Sequence, residues 1–198
     1  MMPTLNLGFL ASHGGSNMQA IIDACNRGYV NAKPCVVISN NSDSQALLRA
    51  KNEGISCYHI STATHGDGAD DAIINTFEKH KVDVIILAGY MKKLGDKVIE
   101  RFKGKILNIH PALLPKYGGK GMYGNFVHEA VLAACEKVSG PTVHVVDKVY
   151  DHGRILAQKE VPVFLDDTVD SLSARVLEQE HILYPETIQK IATGEIIL

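Results

Sequence analysis

Val82-Asp83-Val84-Ile85-Ile86-Leu87-Ala88 is a run of strand length with almost no polar alternation. A strand buried on both faces reads this way, and such strands belong to parallel sheets whose two sides are covered by helices. The neighbouring segments supply those helices. Ala69–Lys79 precedes the run as an amphipathic stretch, and a short helix at Lys97–Phe102 leads to a further strand, Lys105–His110. Upstream, the same rhythm places strands at Leu5–Ala11, Val36–Ser39 and Cys57–Ile60. Between them lie a helix at Asn17–Arg27, with Met18, Ile21 and Ile22 on one face, and a helix at Ser44–Asn52 closed by Gly54. This order predicts an α/β fold, a doubly wound and mostly parallel sheet.

Beyond residue 111 the rhythm changes. Pro115 to Gly124 is Gly-rich and reads as a functional loop or lid. A helix at Asn125–Cys135 follows, then strands at Thr142–Asp147 and Ile155–Val163 flanking the turn Tyr150-Asp151-His152-Gly153. A long amphipathic helix, Val169 to Ala192, closes the chain, with Leu172, Val176, Leu177 and Ile188 among its apolar positions. Nothing marks a domain boundary, so residues 1–198 are expected to form a single domain.

The chain has 20 basic and 22 acidic residues, well mixed, for a net charge of −2. That balance excludes the basic stripe of an electrostatic nucleic-acid binder. No apolar run approaches the roughly 18 residues of a membrane span. Met1 to Ala11 reads as a short apolar strand, with no basic n-region or export-type cleavage pattern. Cys25, Cys35, Cys57 and Cys135 show no Cys-x-x-Cys spacing and read as small buried apolar residues in a reducing, cytoplasmic compartment. The nine histidines contain no His-x-x-x-His or His-Glu-x-x-His pattern, so no metal site is expected.

Chemistry concentrates at Leu107-Asn108-Ile109-His110-Pro111. Alternate strand residues share a face, so Asn108 and His110 project together, and Pro111 ends the strand. An amide and an imidazole side by side at a strand end can hold an oxyanion and manage a proton; equally, they can be two satisfied polar residues. The turn Ser12-His13-Gly14-Gly15-Ser16-Asn17 opens the first helix, where free N–H groups favour an anion and Ser16 is a possible N-cap. It is neither G-x-G-x-x-G nor a Walker A loop, and Gly118-Gly119-Lys120-Gly121 lacks the hydroxyl residue of a phosphate loop. Asp151 is either a turn residue or a carboxylate that meets His110 and raises its pKa. His144 sits on a strand between Val143 and Val145, where a satisfied half-buried side chain is the plain expectation.

In order along the chain, Ala11–Ile22 (ASHGGSNMQAII), Val37–Asn41 (VISNN), Leu87–Leu94 (LAGYMKKL) and Leu107–Tyr117 (LNIHPALLPKY) resemble the folate-dependent formyltransferase family. So do Thr142–Val146, Asp151–Gly153, Ile155–Gln158 and Glu180–Pro185 (EHILYP). The GSNMQAI turn and the EH-x-x-YP segment resemble its phosphoribosylglycinamide formyltransferase branch. The resemblance implies formyl transfer from 10-formyltetrahydrofolate, as co-substrate and without a metal, to the amine of glycinamide ribonucleotide in purine synthesis. Asn108, His110 and Asp151 fall on the family's catalytic positions. Asn108 would donate to the oxyanion of a tetrahedral intermediate, a cationic His110 would stabilise it and carry a proton, and Asp151 would orient His110 and pass protons. His144 matches a supporting histidine. Gly15, Ser16 and Asn17 match the substrate phosphate site and Glu180 a ribose contact. Tyr90, Met91, Lys92 and Leu94 match the folate cleft, and Leu114–Pro115 matches a cis peptide. Residues 1–110 would form the nucleotide-phosphate half and 111–198 the folate and catalytic half. The partners implied are small molecules, not nucleic acid or membrane, for a monomer or homodimer.

The family's Pro-Gly-Leu-His-Thr-His segment is replaced here by Gly118–His128 (GGKGMYGNFVH), so its histidines have no clear counterpart. Its Leu-Asp-Gly-Gly turn is Tyr150-Asp151-His152-Gly153, and Thr64–Asp67 lacks the arginine that many relatives offer to the folate tail. Alternatives on the same domain are transfer to an amino sugar or to methionyl-tRNA, and hydrolysis of the formyl-folate. The tRNA-directed enzymes carry a further C-terminal domain, and the deformylases an N-terminal regulatory domain. A non-catalytic nucleotide-phosphate module would keep the GGSN turn but have no need of Asn108, His110 and Asp151.

Overall fold

The computed structural model describes residues 4–198; the start of the expected Met1–Ala11 strand, residues 1–3, lies outside them. In chain order the first half comprises β1 (Leu5–Leu10), α1 (Ser16–Asn26), β2 (Ala32–Ser39), α2 (Gln45–Asn52), β3 (Ser56–His59), α3 (Thr62–His65), α4 (Ala69–Lys79), β4 (Val84–Leu87), α5 (Asp96–Arg101) and β5 (Ile106–His110). The second comprises α6 (Asn125–Ala133), β6 (Val138–Ser139), β7 (Thr142–Val145), β8 (Ile155–Gln158), β9 (Val161–Pro162) and α7 (Val169–Ala192). One seven-stranded sheet runs β3-β2-β1-β4-β5-β7-β8. β1 to β5 are mutually parallel, and β7 and β8 add antiparallel strands to the β5 edge.

Strand alternation sorts the side chains into two cores. Leu7, Phe9, Ile86, Leu107 and Ile109 pack with Met18, Ile21 and Ile22 of α1 and Tyr184 and Ile188 of α7. Leu10, Ile85, Leu87 and Ile106 pack on the other face with Phe77 of α4, Val98 of α5 and Phe102. All of β4 is buried, as its unbroken apolar run requires. Asn108 and His110, two and four residues after Ile106, face the α4–α5 side.

The expected helix and strand sequence holds, with local corrections. Ser16 is the first residue of α1, not its cap; the N-cap is Gly15 in a left-handed conformation (φ 68°), with no side chain capping the helix. The expected strand Ile155–Val163 is two strands, because Lys159 N–H turns to the Pro141 carbonyl and the chain then pairs Val161–Pro162 with Val138–Ser139 in a separate ribbon. Cys135 is exposed just past α6 at φ +53°, and the other cysteines are only half-buried; all four are free. Leu177 faces outward on α7. The helix continues through Pro185, and the Leu114–Pro115 peptide is cis. Among the described residues no helix is long and apolar enough to cross a membrane.

Candidate active site

The strand order reverses between β1 and β4, and in open α/β sheets the crevice beyond the strand ends at such a point takes the ligand. Ser12 stitches this crevice together. Its N–H donates to the Gly89 carbonyl (3.0 Å), its hydroxyl donates to Asn40 Oδ1 (2.6 Å), and the same Oγ accepts from Met91 N–H (2.8 Å). The ends of β1, β2 and β4 are thereby fixed to one another.

β5 carries the central groups. Across the β5–β7 ladder His144 stands opposite Asn108 and Thr142 opposite His110. His144 Nδ1–H donates to the Val145 carbonyl (3.0 Å), which leaves Nε2 to accept from Asn108 Nδ2 (3.1 Å). The second N–H of that amide remains available. His110 is 3% exposed, and its Nε2–H donates to the Tyr117 carbonyl (2.7 Å). Its Nδ1 lies 3.5 Å from Asp151 Oδ2, and the other Asp151 oxygen lies 3.5 Å from His144 Nε2. Asp151 Oδ2 also accepts from Gly119 N–H (2.9 Å). The turn that brings Asp151 here has that residue at φ +55° and needs Gly153, where a Cβ would strike the Val145 carbonyl oxygen.

Electrostatics bear on one expectation. Burial pushes the His110 pKa down and outweighs the Asp151 carboxylate, which pulls it up, so the site favours the neutral imidazole where the resemblance implied a cation. Asp151 is itself held below the usual carboxylate range. Its burial works against ionisation, but His144, His110 and the Gly119 amide together prevail. His128, at the end of the Gly118–His128 segment that replaces the family's histidine-bearing one, is buried, with Nδ1 unpaired. Burial and then the nearness of His110 lower its pKa. Sequence reading passed over it, although an imidazole on the inner face of an apolar helix was a visible signal.

A cleft opens in front of these groups. Asn108, His144 and Asp151 line it together with Tyr90, Lys92 and Leu94, while Ile99 and Val146 supply apolar wall. His110 lies behind Asp151, outside the lining. Met91 is 47% exposed and does not line the cleft; its backbone amide is held by Ser12. Thr142 and Gln158, which sequence reading did not single out, brace the turn after β5. Thr142 Oγ1 donates to the Ala112 carbonyl (2.6 Å) and accepts from Leu114 N–H (3.0 Å), and Gln158 Nε2 donates to the Leu114 carbonyl (2.9 Å).

Residues 5–188 match the family model described as formyl transferase. The chain belongs to the formyl transferase family. Its formyl transferase relatives include the phosphoribosylglycinamide formyltransferase of Haemophilus influenzae, 41% identical over 97% of this chain and 89% of that protein. A chloroplastic phosphoribosylglycinamide formyltransferase of Vigna unguiculata is also 41% identical over 96% of this chain, which spans only 62% of that longer protein. The crystal structure of glycinamide ribonucleotide transformylase 1 from Symbiobacterium toebii superposes with a TM-score of 0.92 at 36% identity, covering 98% of this chain and 91% of that one. The formyl transferase fold is thus shared along nearly the full chain.

A second constellation lies at the start of α1. The first N–H groups of a helix lack intrahelical acceptors, and here no side chain caps them. Asn17 Nδ2 donates to Glu180 Oε2 of α7 (2.6 Å), while Asn17 Oδ1 is buried without a partner. Glu180 is 7% exposed, and burial, only partly offset by Asn17, pushes its pKa up to about 7. Among the described residues, no group of His, Cys, Asp and Glu could hold a metal ion.

Proposed function

We propose that this chain transfers the formyl group of 10-formyltetrahydrofolate to the amine of glycinamide ribonucleotide. The observation that carries the reading is the convergence of Asn108, His144 and Asp151 on one cleft, with His110 directly behind the carboxylate. The apolar wall of Tyr90, Leu94 and Val146 suits the flat ring of a folate, and Lys92 suits its acidic end. The Gly15, Ser16 and Asn17 amides would hold the ribonucleotide phosphate and Glu180 its ribose. The cleft draws on residues from both sides of position 111, so in this reading both halves would contribute to holding the folate. Small molecules are the partners this reading needs, and four free thiols suit a reducing cytoplasm.

The second N–H of Asn108 would meet the oxygen that becomes negative as the amine adds to the formyl carbon. Asp151 would take the amine proton and hand it to His110 Nδ1. The imidazolium so formed would be held at both nitrogens, by the Tyr117 carbonyl and by the Asp151 carboxylate. The pair would return the proton to the departing folate nitrogen.

The direct test mixes purified protein with 10-formyltetrahydrofolate, with and without glycinamide ribonucleotide, following folate absorbance and identifying products. Ribonucleotide-dependent loss of formyl-folate with formylated ribonucleotide is the expected result. Formate release without ribonucleotide would assign a deformylase, and the absence of turnover would overturn the reading.

Glu180 gives a separate prediction. A carboxyl whose pKa rises on folding binds more protons folded than unfolded, so its contribution to stability is complete below pH 4.5 and declines as pH rises to about 7. That displacement corresponds to about 3 kcal/mol. Glu180→Gln should therefore melt higher than wild type at pH 8 and close to it at pH 5, by calorimetry. It should also weaken ribonucleotide binding and remove the part of the fall of kcat/KM for ribonucleotide that sets in near pH 7, leaving the limb that belongs to His110. A variant that melts alike at both pH values would show that Glu180 is not held protonated by burial.

A further inference from the structure

One tripeptide, Tyr117-Gly118-Gly119, touches both members of the His110–Asp151 pair. The Tyr117 carbonyl accepts from His110 Nε2–H (2.7 Å), and Gly119 N–H donates to Asp151 Oδ2 (2.9 Å). Between them, Gly118 lies so close that a Cβ would sit 2.5 Å from Leu114 Cδ2 and 3.2 Å from Asp151 Cβ. The backbone of this segment therefore forms one wall of the pair.

Tyr117 is held at φ +55°, where a bulky side chain is an outlier and persists only if its surroundings impose it. The side chain shows what imposes it. Tyr117 OH donates to Glu136 Oε1 (2.8 Å), and Lys116 Nζ reaches the same oxygen (2.8 Å). Glu136 follows α6, and the Glu136 N–H is itself tied back to the Val131 carbonyl. Val131 is buried in the small core that includes Leu172 and Val176 of α7. The anchor of the Tyr117 ring is thus connected to the body of the protein rather than to the loop.

We propose that Tyr117 and Glu136 are positioning residues for the proton relay: their phenol–carboxylate tether fixes the Tyr117 carbonyl on His110 Nε2 and so reserves Nδ1 for the travelling proton. Without that carbonyl, the neutral imidazole is free to carry its proton on Nδ1 toward Asp151, the form unable to accept another there. This inference rests on the relay described above, and its test separates the two.

The test uses the full chain with Tyr117→Phe, Glu136→Ala and Glu136→Gln, reading kcat, both KM values, the melting temperature and the 15N resonances of His110. In Tyr117→Phe, kcat should fall about tenfold with both KM values within about twofold, since small misplacements of reacting groups act on the chemical step. The His110 resonances should move from an Nε2–H pattern toward a mixture of tautomers, with little change in melting. Glu136→Ala should repeat this, the double variant should be no worse than either single one, and Glu136→Gln, whose Oε1 still accepts from the phenol, should restore wild-type values. Unchanged tautomer and kcat in Tyr117→Phe would overturn the inference, as would a loss that tracks melting temperature or appears only in KM. If the wild-type protein transfers no formyl group, the proposed reaction fails, and the 15N spectra still decide whether the tether sets the tautomer.

Discussion

A His110→Ala variant is expected to lose about 10²–10⁴-fold in kcat, the range supplied by a positioned proton carrier, while its Kd for glycinamide ribonucleotide stays within about twofold. The separation follows from the architecture. The groups assigned to the phosphate and ribose lie on α1 and α7, whereas His110 ends β5 and is buried behind Asp151, outside the cleft lining. Truncation leaves the Tyr117 carbonyl without its donor and the Asp151 carboxylate without the imidazole 3.5 Å away. Both consequences fall on the relay. Calorimetric binding and single-turnover rates on the same preparation check the prediction, with a melting curve to show that the variant is folded. A wild-type rate would remove His110 from the mechanism, and parallel loss of ribonucleotide affinity would move it into the binding site. Asn108→Ala should lose about 10²–10³-fold, the usual consequence of deleting one oxyanion donor.

How far such a site is legible in sequence depends on whether the information is local. The unbroken run around β4, the Asn-x-His at the end of β5 and the Gly-rich start of α1 are each set by a few consecutive residues, and the structure realises each near its expected place. What could not be read depends on distance in the chain. Asn17 meets Glu180 from 163 positions away, and a mid-helix glutamate gives no sign that it will be buried. The neutral state of His110 is a balance between desolvation and a carboxylate brought in by a remote turn, and sequence supplies only the second factor. The break after Gln158 leaves only the short polar run Gln158-Lys159-Glu160 in the sequence, after which apolar residues resume at Val161, and the pairing partner, Val138–Ser139, is too short to leave a pattern. Gly118 and Gly119 resembled a poor phosphate loop, yet Gly119 donates to a carboxylate instead.

Asp151→Asn is the more discriminating substitution, because the direction of its pH effect identifies the titrating group. At pH 7 the variant should be slower by about 10²–10⁴-fold, since an amide accepts the Gly119 hydrogen bond but cannot relay a proton. In the wild type Asp151 is held below the usual carboxylate range and stays ionised, whereas burial moves His110 below the ordinary imidazole range. The acid limb of kcat therefore belongs to His110, which must be neutral to accept the proton, and activity falls as pH drops through its lowered pKa. Removing the carboxylate also removes the one charge that favours the imidazolium, leaving burial unopposed by it. The limb of the residual activity should then move to lower pH rather than vanish. A pH–rate profile of kcat measured from pH 4.5 to 8 at saturating substrates decides between the possibilities. A flat profile would assign the limb to Asp151 itself. A rate equal to wild type at every pH would reduce Asp151 to a turn residue, and with it the relay by which this cleft was argued to move protons.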